Sequence, residues 1–288
     1  MTCRLSGTPL RAALPVAVVA AFASTASATA GQDWRTETVS RQFAGQERLA
    51  VDLRHAVGTL RVRPANTRTL FSMNLAYDAD VFQAVTDFDG DRVTLGLEGR
   101  DRDLRIKKGG RTPEMDVRLS PTVALNLSLD FGAGRADVDL GGLRLSGLDI
   151  ETAASETRLD VSQPNREILR SASVAVGAAQ FTAERIGNLN AERLSVDAGV
   201  GHLVLSLEGS WQRDLDIEVE MGVGAIEIRV PRDLGLKLVK ESFLTALDAP
   251  EMERDGDAWY SPDWTSAERR ITIDVEAAFG AIEVVWLR

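Results

Sequence analysis

The segments DAGVGHLVLSL (197–207) and EMGVGAIEIRVP (220–231) are one pattern written twice. In each, an acidic residue leads into Gly-Val-Gly, and the second glycine opens a run of alternating apolar residues. The same pattern recurs as RHAVGTLRVRP (54–64), DFGAGRADVDL (130–140), ETAASETRLDV (151–161), AVGAAQFTA (175–183) and EAAFGAIEVVWL (276–287). Its pivots are Gly58, Gly134, Ser155, Ala179, Gly201, Gly224 and Gly280. From 134 to 224 they stand 21, 24, 22 and 23 residues apart. A period of about 22 residues with two short strands per repeat is that of a β-solenoid.

Numbering each repeat from its pivot tests the reading column by column. Two places after it stand Leu60, Ala136, Thr157, Phe181, Leu203, Ile226 and Ile282. Four after stand Val62, Val138, Leu159, Ala183, Leu205, Ile228 and Val284. Five before stand Leu53, Leu129, Ile150, Val174, Val196, Val219 and Val275, and seven before stand Val51, Leu127, Leu148, Ala172, Leu194, Ile217 and Ile273. Thr157 is the sole polar residue in the four columns, in a chain that is 44% hydrophobic. Period-2 alternation puts these side chains on one face of each strand, and that face is the expected interior. The glycines Gly58, Gly134, Gly201, Gly224 and Gly280 are expected at structural turns, where a positive φ or a close approach excludes a Cβ.

The first 30 residues read as a signal peptide. Arg4 and Arg11 form the basic region, Leu14 to Phe22 the apolar one, and Ala26-Ser27-Ala28 and Ala28-Thr29-Ala30 are both cleavage sites of the small-x-small type. The apolar run is too short to span a bilayer, and no later stretch approaches that length. The one cysteine, Cys3, would leave with the signal. The implied location is exported, periplasmic or extracellular, with no transmembrane segment in the mature chain. Removing Arg4 and Arg11 takes the basic residues from 33 to 31 against 43 acidic ones, and the net charge from −10 to −12. A surface so acidic repels nucleic-acid backbones and anionic lipid and favours cations or basic protein surfaces.

Three further divisions are expected. Residues 31–120 form a small β-rich N-terminal capping domain, with strands near 80–86 and 92–98 joined by the acidic turn 87–91. Residues 121–288 form the solenoid. An insertion at about 231–270 interrupts it, with a coil-like strand at 234–239, and joins the last strand in closing the far end.

With these columns in hand, the chain resembles the exported bacterial toastrack domains, often described as candidate adhesins and related to the C-terminal domain of LiaF-type envelope-stress proteins. The carrying residues are the Gly-x-Gly turns at Gly199/Gly201 and Gly222/Gly224, the latter running into Val230-Pro231, and the terminal pattern DGDAWYSPDW…ITIDVEAAFGAIEVVW. VGTLRVRP (57–64) followed by LFSMNLAYDAD (70–80) looks like the small domain ahead of the repeats in some members. The resemblance covers most of the mature chain. It implies an all-β fold, a right-handed single-stranded β-solenoid without catalytic residues, and roles in adhesion, assembly or envelope-stress signalling. LiaF-type proteins carry membrane helices ahead of this domain, and this chain lacks them.

The catalytic inventory is thin. Two histidines, His55 and His202, sit beside pivots and read as turn residues. With no mature cysteine they offer no zinc site, and no nucleophile elbow or phosphate loop is present. No cofactor is implied. Asp87-Phe88-Asp89-Gly90-Asp91, with Glu98 at the twelfth place, has Arg92 where a calcium loop needs glycine, so it reads as a hairpin turn.

Outward columns are more suggestive. Four before the pivot come Asp130, Glu151, Asp197, Glu220 and Glu276; six before come Asp149, Glu218 and Asp274. Stacking brings Asp197 near Glu220 and Asp130 near Glu151, an arrangement that neighbouring bases, a cation or a basic partner must relieve. Asp197 and Glu220 are the candidate cation ligands. Trp259, Tyr260 and Trp264 in the acidic insertion are candidate contacts for a partner, and Arg100, Arg102, Arg105, Lys107, Lys108 and Arg111 form a basic loop. The function expected is a non-enzymatic scaffold or adhesin-like interaction protein of the cell envelope, with a protein partner there or a second copy of itself. The alternatives are an envelope-stress regulator bound to a membrane sensor and a calcium-dependent carbohydrate-active β-helix enzyme.

Overall fold

A computed structural model describes residues 33–100 and 110–287. The expected signal segment and most of the basic loop lie outside them. Within them the chain is nearly all β, with a single four-residue 3-10 turn at Ile186–Leu189. The strands are β1 (Trp34–Gln42), β2 (Arg48–Pro64), β3 (Thr69–Asp78), β4 (Phe82–Asp89), β5 (Arg92–Gly99), β6 (Glu114–Leu119), β7 (Ala124–Asp139), β8 (Arg144–Asp160), β9 (Ala172–Glu184), β10 (Arg193–Ser206), β11 (Leu215–Pro231), β12 (Gly235–Asp248), β13 (Glu253–Asp255), β14 (Ala258–Tyr260) and β15 (Arg270–Leu287).

The solenoid rungs stack in parallel in the order β2-β7-β8-β9-β10-β11-β15-β12. Each rung is one long strand bent at its pivot, where two short strands were expected. The bend divides it into a first arm before the pivot and a second arm after it. In β11, Ile217, Val219 and Met221 are buried ahead of Gly224, and Ile226, Ile228 and Val230 after it, so the inward parity switches across the pivot. Every residue of the four apolar columns is buried. Thr157 is accommodated because its hydroxyl meets that of the pivot Ser155 at 2.9 Å.

The pivots stack on one another. Gly58 lies in register with Gly134, Gly201 with Gly224, and Gly224 with Gly280. Gly224 has φ +156° and Gly280 φ +145°, a region L side chains rarely adopt. Between Ser155 and Ala179, neighbouring pivots that both carry a Cβ, the β8–β9 ladder lapses. Pairing stops at Thr152↔Val176 and resumes at Glu156↔Gln180.

The two ends differ. At the N-terminal end the outer edge of β2 is covered on both arms. β5 pairs with Ala50–His55 and β6 with Thr59–Pro64. The β4–β5 hairpin turns at Gly90, φ +62°. At the C-terminal end the order departs from expectation. β15, the last strand in the chain, slots between β11 and β12, in register with both. The segment expected as a short strand at 234–239 is a full rung that runs on to Asp248. The physical reason lies in its columns. Where other rungs have an inward aliphatic residue and a small pivot (Gly, Ser or Ala), β12 has Lys240 and Thr245, opposite Val275 and Gly280. A rung with a charge in the inward column suits the exposed end of a stack, and the wholly apolar β15 suits its interior.

Candidate functional site

The first arm carries the acidic column. Its residues four before the pivot run, in stacking order, Arg54, Asp130, Glu151, Ala175, Asp197, Glu220, Glu276 and Glu241. Ala175 divides it. On one side Asp130 and Glu151 are neighbours, with Arg54 on the rung below. On the other, Asp197, Glu220, Glu276 and Glu241 occupy four successive rungs, spaced by roughly 4.8 Å as ladder strands are. Glu218 and Asp274 sit beside them in the adjacent outward column.

The two arms are charged differently. On the second arm several acids meet arginines, although Glu283 and Asp248, in register on β15 and β12, do not among the described residues. Arg63 reaches Asp137 at 3.2 Å, Arg135 reaches Glu156 at 2.7 Å, Arg229 reaches Glu227 at 2.6 Å, and Arg158 pairs with Glu184. Among the described residues, none of Asp197, Glu218, Glu220, Glu241, Asp274 and Glu276 has an ion pair with a lysine or arginine. Six carboxylates thus share one face without an ion pair, Arg193 being the basic residue that lines the same surface.

Beside the acidic column runs a groove of about 900 Å³. Its floor is the column two before the pivot, which holds only small residues along Ala153, Gly177, Gly199, Gly222 and Ala278. Past that floor, one residue before each pivot, stands a ridge. At the distal end it holds Val200, Val223, Phe279 and Leu244, exposed by 55, 47, 50 and 60%. These four are in register on β10, β11, β15 and β12. Large exposed apolar side chains scattered singly are ordinary; a contiguous row is not. At the proximal rungs the same column is smaller, with Ala133, Ala154 and Ala178.

The other sequence candidates are placed as follows. Asp197 and Glu220 are in register, but among the described residues no group of three or more His, Cys, Asp or Glu is arranged to hold a metal ion. Trp259 and Tyr260 lie on β14, which packs antiparallel on β12 at Lys237–Val239. Both are half-buried; Arg254 stacks over Trp259 at 5.0 Å, and Tyr260 meets Trp264 edge-on at 5.6 Å. They cover the first arm of the terminal rung. His202 is half-exposed within β10, one place after the pivot Gly201, and 3.9 Å from the Glu227 carboxylate. His55 is different from the turn residue expected. It points inward three places before Gly58, is 1% exposed, and stacks on Phe131 with centroids 5.8 Å apart. Burial lowers its pKa to about 4, so it is a neutral core residue. Of the basic loop's described residues, Arg100 donates to the Phe82 carbonyl and Arg111 stacks over Trp34.

Glu241 and the apolar ridge escaped the sequence reading. Glu241 was hidden because β12 does not announce its pivot with glycine. The ridge was open to view as the apolar residue before each pivot in GVG, GVG and AFG, a column left unread.

The family described as the N-terminal domain of toast_rack, DUF2154, matches residues 29–184 and 165–229. No curated protein matches the chain. Among solved structures, a candidate cell adhesion protein from Clostridium sporogenes is 16% identical, with 88% of this chain and 100% of that one covered, at a TM-score of 0.44. A candidate adhesin from Bacteroides fragilis is 12% identical over 86% of this chain and 97% of that one, at 0.40. No helix among the described residues is long and apolar enough to cross a membrane.

Proposed function

The chain belongs to the toast-rack family, and from that premise we propose that it is a non-enzymatic, exported interaction protein of the cell envelope, a scaffold or adhesin. The observation that carries the reading is the in-register row Asp197–Glu220–Glu276–Glu241, without an ion pair among the described residues, whereas Asp137, Glu156 and Glu227 of the second arm each have an arginine partner. Like charges on adjacent rungs repel. A rigid stack that holds them there gives up a little stability for a surface complementary to basic groups. The mechanism is display. The bent sheet fixes the carboxylates along a line, and the groove beside them admits side chains of a cationic partner protein. Electrostatic complementarity of this kind steers encounter and sets specificity.

The test is crosslinking in cells of the tagged protein beside the triple variant D197N/E220Q/E276Q. These side chains are solvent-facing, so the variant is expected to keep its fold. Loss of a specific adduct in the variant supports the reading. An adduct pattern indifferent to the triple change overturns it. A membrane sensor as the main adduct would make the chain an envelope-stress regulator that works through the same face.

A further inference from the structure

The solenoid is closed at one end and half-open at the other. On the terminal rung β12, the outer edge is paired with β14 only at Lys237, Leu238 and Val239. From Lys240 to Asp248 the strand bonds to β15 on its inner side, and no described strand or loop pairs with its outer side. The corresponding edge of β2 at the other end is covered on both arms. An uncovered strand edge presents a row of backbone donors and acceptors and is a template for pairing. Edges that must stay free are short, twisted away or charged. This one has charges only at its two ends, Lys240 and Glu241 at one and Asp248 at the other, and carries Leu244, Thr245, Ala246 and Leu247 in sequence between them, with Leu244 60% exposed and Leu247 only partly covered.

Two surface features run into that edge. The acidic row ends on it at Glu241, and the apolar ridge ends on it at Leu244. A further strand laid on β12 in the register of the stack would set one of its residues beside Glu241 and another, three places on, beside Leu244. The first is favourable if it is Lys or Arg and unfavourable if it is acidic. The second extends a row of exposed apolar side chains. A second copy of this chain fits poorly, because β12 itself brings Glu241 and Asp248 to the contact.

We propose that Lys240–Asp248 is a docking edge for an extended segment of a partner protein, with a basic residue beside Glu241 and a large apolar residue beside Leu244. Main-chain hydrogen bonds supply the attachment, and the two columns select the sequence. The proposal deepens the interaction reading and rests on it for the partner's charge.

The probe is a labelled synthetic peptide with the sequence of residues 272–284, in which the residues at 274, 276 and 283 are lysine. This strand already pairs with the inner side of β12, and the changes reverse its three acids. The control peptide keeps them. Binding is read by anisotropy, and amide exchange is read across β12 in the whole protein. The lysine peptide is expected to bind at least about tenfold more tightly than the control and to slow exchange within 240–248 by about tenfold or more. Glu241→Lys and Leu244→Lys, both at exposed positions, are each expected to weaken it by about tenfold.

Exchange in 240–248 that is unchanged at saturating peptide overturns the proposal while leaving the acidic face as a docking surface. Exchange there already as slow as in β15 overturns it too, since the edge would then be covered. A protein that sediments as a dimer, and as a monomer once Leu244 is lysine, assigns the edge to a second copy and overturns the choice of partner. Failure of the in-cell test with intact peptide docking would sink the broader reading alone.

Discussion

Gly280 lies so close over Gly224 that a Cβ built on it would stand 1.7 Å from the Gly224 carbonyl oxygen. The relation repeats down the stack. A Cβ on Gly224 would meet the Gly201 oxygen at 2.0 Å, and one on Gly201 the Ala179 oxygen at 1.8 Å. The backbone of one rung fills the space a side chain on the next would need, and the pivot φ values are positive as well. Glycine here lets adjacent rungs stay hydrogen-bonded through the bend. Gly224→Val is therefore expected to destabilise by at least about 2 kcal/mol, and Gly224→Ala by a smaller but clear margin. Denaturant melts check this. A valine variant that melts like the parent would remove the steric account of the pivot.

The inward columns make a second prediction. Val219 is 0% exposed and lies between Val196 and Val275 on the neighbouring rungs. Val219→Asp buries a carboxylate with no described base near it, at a cost of several kcal/mol. Loss of cooperative unfolding, or no folded protein, is the expected result. Val219→Ala should fold, with a loss of about 1 to 3 kcal/mol.

What was legible in the sequence is what strand periodicity encodes. Val219 and Ile226 declare the inward face because side chains alternate along a strand, and Gly224 declares the bend because a Cβ there would meet the Gly201 carbonyl and its φ is positive. The row Asp197–Glu220–Glu276 follows from the same register. Spatial order did not follow from chain order. β15 enters between β11 and β12, and a strand that inserts rather than appends leaves no periodic mark. Lys240 and Thr245 broke the column test on β12, so Glu241 was not seen as the fourth member of the row. His55 was misread because proximity to Gly58 suggested a turn, whereas its place three before the pivot is an inward one, shared with Phe131 and Met221.

That inward histidine predicts an acid weakness. The ordinary imidazole pKa of 6.5 falls to about 4 in the fold, because burial penalises the charged form. Between these values the unfolded chain takes up a proton that the folded chain refuses. The protonation penalty of His55 is therefore absent above about pH 6.5; stability declines as pH falls toward 4. The full loss, roughly 3 kcal/mol, is reached below that. His55→Leu keeps an apolar side chain of similar size in the site. Its stability is expected to fall less steeply than the parent's between pH 6.5 and 4. Parallel slopes for the two proteins would show that the imidazole is not the titrating group.

The last prediction concerns the acidic row itself. Glu276 has Glu220 on one side and Glu241 on the other, each one rung away, and no basic partner. Removing the central charge relieves two repulsions at once, whereas neutralising a paired acid of the second arm, such as Glu156 beside Arg135, breaks an attraction. Glu276→Gln is therefore expected to raise stability by about 0.5 kcal/mol and Glu156→Gln to leave it equal or slightly lower. The gain should shrink with added salt, since both interactions are solvent-exposed and screened over about 8 Å at physiological ionic strength. Partner capture should move the opposite way, with Glu276→Gln weakening it and Glu156→Gln leaving it unchanged. A residue that stabilises the fold when removed and weakens binding when removed is placed for the partner. If Glu276→Gln lowers stability and leaves capture intact, the row is an ordinary solvated face, and the display mechanism fails with it.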